Sequence, residues 1–209
     1  MSKKMLIIAI SFICFGAILF AGVMAVLAWD FTQLSTVSYE TNTYEVVDSY
    51  TAIVITADTA DVVLTASETG KSIVVCHEQT KIKHTVTVRD DTLVIEVADT
   101  RKWHEYIGIA FGGTRITVEV PSDIYRDVSV KTSTGDVTVD SLSCAGDITI
   151  EVSTGKTKMS DIDCNNLHLS GNTGDVFLDQ VMVAQHMSLI RSTGDIWFDS
   201  CDAEDIYME

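Results

Sequence analysis

Positive charge is scarce in this chain: 14 lysines and arginines stand against 30 aspartates and glutamates. No stretch clusters the basic residues, which excludes DNA and RNA as partners, since so acidic a surface is repelled by phosphate backbones. Cysteine is also sparse. Cys14 lies in an apolar N-terminal segment, and Cys76, Cys144, Cys164 and Cys201 lie inside apolar patterns. An odd count without paired spacing excludes a disulfide-stapled secreted domain, so these read as buried thiols. Cys76-His77 is a lone pair of ligand types with no second pair at zinc-site spacing. The histidines are scattered, and none pairs recognisably with a nucleophile and an acid. The run GIAFGGT, Gly108 to Thr114, lacks the lysine of a phosphate loop. Proline occurs once, and Pro121 ends an alternating run where a strand must stop.

What is present begins with Met5 to Trp29, 25 uncharged and mostly apolar residues. As a helix this run measures about 37 Å, against a hydrocarbon core of ~30 Å. It exceeds the ~7–15 residues of a secretory signal's apolar core. Lys3 and Lys4 precede it and Asp30 follows, which places the N-terminus in the cytoplasm. The expectation is a single-pass membrane anchor, with the rest of the chain outside. Ala17, Ala21 and Ala25 form a small-residue stripe through which two such helices could self-associate, or are simply apolar filler. All 30 acidic and 12 of the basic residues follow Trp29, so the exported part carries −18. A basic protein face, a cation or a wall polymer suits such a surface; a charge that merely maintains solubility is the plainer reading.

The second half of the chain repeats itself. STGDVTVDS begins at Ser133, STGKTKMSD at Ser153, NTGDVFLDQ at Asn172 and STGDIWFDS at Ser192. Gly135, Gly155, Gly174 and Gly194 are 20, 19 and 20 residues apart, a period that marks a solenoid of stacked coils. Within each unit apolar residues fall in alternating pairs, as in Val137/Val139, Leu142/Cys144 and Ile148/Ile150. That is period-two patterning broken by turns, so short strands with one buried face. Thr157 is the weak member of this pattern. The glycine admits a positive φ at a corner, and Ser, Thr or Asp can bond the turn's own backbone.

TADTADVVLTAS, Thr56 to Ser67, follows the same outline with Ala60 in the glycine's place. Alternating runs continue to Val120, with turn signals at Thr69-Gly70 and Asp90-Asp91. The expected organisation is therefore an anchor at 1–29, a stalk at 30–45 and one all-β solenoid domain at 46–209. Within that domain, 46–131 reads as irregular N-terminal coils and 132–209 as regular, parallel β-helix-like coils of about 20 residues. The final DIYME stops where earlier units turn into the next STG. A bare last coil exposes strand edges, so either the native protein continues or a partner covers this edge.

An apolar N-terminal anchor, an alternating region ending in VEVP (Val118–Pro121) and STGDV/I units of about 20 residues together resemble a known family. It is the bacterial toast-rack or "putative adhesin" domain of unknown function, found in LiaG-like envelope proteins. The resemblance spans roughly Thr51 to Glu209. It implies a β-helical exported domain, often encoded beside membrane-stress regulators, without enzymatic activity, cofactor or catalytic residue. Lys156, where other units have Asp, departs from the pattern.

Three sets of residues remain as candidates. Asp175 and Asp195 share one corner, and Asp179 and Asp199 another, about 5 Å apart by strand spacing. This separation could suit calcium or a retaining glycosidase, but solvated turn aspartates are the plainer reading. The spacing matches neither an EF-hand loop nor the calcium nonapeptide. Trp103, Tyr106 and Phe111 lie in RKWHEYIGIAF beside two basic residues, as a partner or glycan contact or as a lid over an open solenoid end. Cys144 and Cys164 hold the same offset in successive coils, close enough for a bridge, but stacked inward side chains run parallel and buried thiols are the plainer reading. The sequence thus points to a non-catalytic membrane-anchored interaction or scaffold module linked to envelope-stress sensing. The alternatives are an adhesin or wall-polysaccharide binder, and, third, a β-helical polysaccharide hydrolase or lyase.

Overall fold

The structure, a computed structural model, describes residues 3–30, 35, 37–100 and 112–209. The N-terminal helix belongs to one compact unit and the strands to another. Helix α1 (Lys3–Val26) is 24 residues of apolar sequence, about 36 Å long, with side chains such as Phe12 and Ile18 exposed. It is long and apolar enough to cross a membrane, as an anchor or a signal sequence would be.

From Tyr39 onward the described residues are nearly all strand. In chain order these are β1 (Tyr39–Val46), β2 (Ala52–Ala66), β3 (Ser72–Gln79), β4 (Ile82–Arg89), β5 (Thr92–Asp99) and β6 (Thr114–Val120). There follow β7 (Ile124–Tyr125), β8 (Asp127–Thr134), β9 (Val137–Cys144), β10 (Asp147–Thr154), β11 (Thr157–Cys164) and β12 (Asn166–Thr173). The last three are β13 (Val176–Thr193), β14 (Ile196–Asp199) and β15 (Asp202–Met208).

The regular region stacks as its period predicts. On one side β8, β10, β12, the second half of β13 and β15 pair in parallel, aligning Val128, Ile148, Leu167, Met187 and Ile206. On another, β9, β11, the first half of β13 and β14 align Val137, Thr157, Val176 and Ile196. Leu142, Ile162 and Val181 align on a short third side. Alternate residues of these strands fill one contiguous apolar core, each buried aliphatic side chain contributing about 1.5–3 kcal/mol.

Two corners hold the coils in register. At the first, Gly135, Gly155, Gly174 and Gly194 take φ between 129° and 148°, a region reserved for glycine. Close approach demands glycine too, because a Cβ on Gly155 or Gly174 would run into the carbonyl oxygen of the glycine below. The second corner is left-handed without glycine: Ser141, Asp161, Gln180 and Ser200 have φ of 53–55°.

Ile206 is 49% exposed, Phe198 40% and Met208 55%, because among the described residues β14 and β15 pair with β13 alone.

The N-terminal region departs from the regular stacking. β2 is a coil, as its outline suggests: Ile53 pairs with Val128 and Val62 with Val137. Yet its other edge carries β5 and β6, also parallel, with Ala52 on Thr92 and Ala60 on Thr114. Chain order and spatial order therefore differ, and β2 is inserted between strands made later. Beyond β5 and β6 the pairing becomes antiparallel: β4 on β5, β3 on β6 and β1 on β3. The irregular coils expected over 46–131 are thus partly replaced by antiparallel strands that cover this end. The proposed stalk is shortened likewise, since β1 occupies Tyr39–Val46. Its Tyr44 and Val46 pack on the core, and Glu45 and Glu40 meet Lys71 and Lys83 at 2.7 and 2.5 Å.

Candidate interaction surface

The corner aspartates stack as the repeat implies, but they bond the next coil and not their own turn. Asp61 Oδ1 accepts from the Asp136 amide at 3.0 Å, Asp136 Oδ1 from the Lys156 amide at 2.8 Å, and Asp175 Oδ1 from the Asp195 amide at 3.4 Å. Lys156 cannot continue the series. Its Nζ lies instead 3.6 Å from Asp175 Oδ2. A second ladder joins Asp127 to the Asp147 amide (3.3 Å) and Asn166 to the His186 amide (3.2 Å). These side chains brace neighbouring coils.

Asp179 and Asp199 are also in register, both exposed. Below Asp179 the row continues through Ser160 to Asp140, which accepts from Ser160 Oγ at 2.5 Å. None of the four candidate aspartates belongs to a group of three possible metal ligands. Among the described residues one such group occurs, and it is Cys76, Glu78 and His84. The corners are open to solvent, unlike the apolar pocket an acid catalyst requires.

Between the two acidic rows lies a feature the sequence reading missed. Phe177 and Trp197 point outward from adjacent strands in register, their rings stacked at 4.4 Å and only 6° apart. Lys158 continues the row below Phe177. Asp175 and Asp179 flank Phe177, and Asp195 and Asp199 flank Trp197, because residues two apart on a strand share a face. Trp197 is 44% exposed. The signal was present, since both rings sit three residues after the corner glycine in NTGDVF and STGDIW. Trp103, Tyr106 and Phe111 lie outside the described residues.

The cysteines are free thiols. Cys144 and Cys164 sit at the floor of an open groove of about 500 Å³ on the third side, with Ser143, Asp163, Met182 and Asp202 along it. Burial pushes the Cys164 thiol up to about 12 and raises Cys144 as well, so neither supplies the thiolate that nucleophilic chemistry needs. Cys76 and His77 are split by strand alternation. His77 faces out, with Nδ1 3.0 Å from Thr41 Oγ1, while Cys76 faces in toward Glu78 and His84.

Taken together, this is a parallel, glycine-cornered β-solenoid that presents an acidic and aromatic outer face. The chain belongs to the Toastrack DUF4097 family, whose model matches residues 50–209. Its fold is similar to that of a "putative cell adhesion protein" from Clostridium sporogenes, at 9% identity and a TM-score of 0.50, over 83% of this chain and all of that one. A "putative adhesin" from Bacteroides fragilis is 17% identical with a TM-score of 0.42, covering 82% of this chain and 92% of its own. No curated protein matches the sequence.

Proposed function

We propose that this chain is a non-catalytic interaction module held at the outer face of a bacterial cytoplasmic membrane. Its N-terminus lies inside and α1 spans the bilayer, the orientation favoured by Lys3, Lys4 and Asp30. The observation that carries the reading is the Phe177–Trp197 stack between four aspartates on a rigid sheet. Carboxylates beside an aromatic face suit a lysine or arginine of a basic protein segment, through cation–π and ion-pair contacts. The exported charge of −18 steers such a partner inward. Its setting is envelope-stress sensing, the role implied by the resemblance to LiaG-like proteins.

Crosslinking the anchored protein in its own membrane tests this. A basic protein recovered with wild type and lost with Trp197→Ala supports the proposal; unchanged capture by that variant contradicts it. The stacked rings also favour a second reading, wall-glycan binding through the faces of sugar rings. Retention on purified peptidoglycan that disappears with Trp197→Ala would select it.

A further inference from the structure

We propose that Cys76, Glu78 and His84 bind a divalent zinc-class metal ion inside the capped end of the β-domain. Cys76 and Glu78 are two residues apart on β3 and share its inner face, and His84 enters from β4 directly after the connecting turn. All three are buried, at 0%, 0% and 5% exposure, and one donor atom from each lies within 4.8 Å of the others.

Glu78 is out of place in an aliphatic interior. It is the one acidic side chain buried among the described residues. Three donors converge on it: Asn42 Nδ2 on Oε1 at 2.8 Å, and the His84 amide and Nδ1 on Oε2 at 2.6 and 2.7 Å. These bonds hold the carboxylate and imidazole on strands, in fixed positions. Burying a carboxylate is costly unless its charge is compensated. A divalent ion with a thiolate, a carboxylate and a neutral imidazole makes a set of zero net charge, which suits a dry interior.

The donor chemistry selects the metal. Sulfur and nitrogen together favour zinc over calcium or magnesium, which prefer oxygen. Tetrahedral zinc with bonds of about 2.0–2.3 Å keeps its ligands roughly 3.5 Å apart. A spread of at most 4.8 Å therefore closes onto an ion by small side-chain movements. Binding releases the thiol proton to solvent, and the ion takes over the contact that now joins His84 to Glu78. Three protein donors leave a fourth position for water.

The experiment uses the full chain in detergent, stripped with a chelator, kept reduced and titrated with cobalt(II). One equivalent should produce tetrahedral cobalt bands with a thiolate-to-cobalt charge-transfer band, both erased by zinc. Cys76→Ser should abolish the charge-transfer band, Glu78→Gln should weaken binding at least ~10-fold, and Cys144→Ala with Cys164→Ala should leave the spectrum intact. No charge-transfer band in wild type, or a band that survives Cys76→Ser, overturns the proposal. Should the variants not fold, alkylation of wild type decides: zinc that leaves Cys76 labelling on partial unfolding unchanged counts against the site, and at least tenfold protection supports it.

Discussion

Arg191 and Thr157 meet across two coils: Nη2 of the guanidinium donates to Oγ1 at 2.9 Å, while Nη1 donates to the Val152 carbonyl at 2.8 Å. Gly171 makes this possible, since a Cβ there would collide with both that carbonyl and the guanidinium. Three departures from the repeat, a buried threonine, an extra glycine and an inward arginine, thus serve one contact. Arg191→Met should cost about 2 kcal/mol by leaving Thr157 and Val152 O unpaired. Combined with Thr157→Val the loss should be smaller than the sum of the single losses, measured by urea unfolding as a double-mutant cycle.

The two corners should respond oppositely to substitution. Gly155→Ala meets both a disallowed φ and the Gly135 carbonyl, so a loss above roughly 2 kcal/mol is expected. Asp161→Gly removes a left-handed strain of about 1–2 kcal/mol and should leave stability equal or higher. Thermal melting of the two variants side by side checks both.

Stability should fall in alkali. Burial raises the folded-state pKa of Cys164 from 9.0 to about 12. Between those values the unfolded chain has lost a thiol proton that the folded one retains, so unfolding is favoured as pH rises. The contribution is complete below about pH 9 and lost through about 12. Melting temperatures should decline across that window, and less steeply in Cys164→Ala.

Lys156 separates the acids of its corner ladder. Lys156→Asp would stack Asp136, Asp175 and Asp195 with a further carboxylate and remove the 3.6 Å contact to Asp175. The variant should melt lower at low ionic strength and recover most of the difference in high salt, because exposed charges are screened.

Much of this architecture is legible in the sequence because the period is enforced at each level. Each coil from residue 132 onward needs a glycine where its backbone touches the coil below, so Gly135, Gly155, Gly174 and Gly194 set the register openly. Ala60 could be aligned with them by its offset within TADTADVVLTAS. The position of β2 was not legible, since alternation specifies a buried face and not which neighbour supplies the hydrogen bonds. For the same reason β1 read as stalk. The Phe177–Trp197 stack could have been found from matching offsets. Glu78 and His84 could not, because their meeting depends on an antiparallel cap that has no repeat to announce it.

The insertion of β2 bears on how the chain matures. Residues 52–66 emerge early, yet their partners lie at 92–96, 114–120 and 127–140. Contacts of such sequence separation form slowly. Growth from the N-terminus, one layer at a time in chain order, is therefore closed to this protein. The edge of β2 that seats the regular coils has no partner until residues 127–140 exist, some seventy positions later, and only then can the remaining layers be added in order.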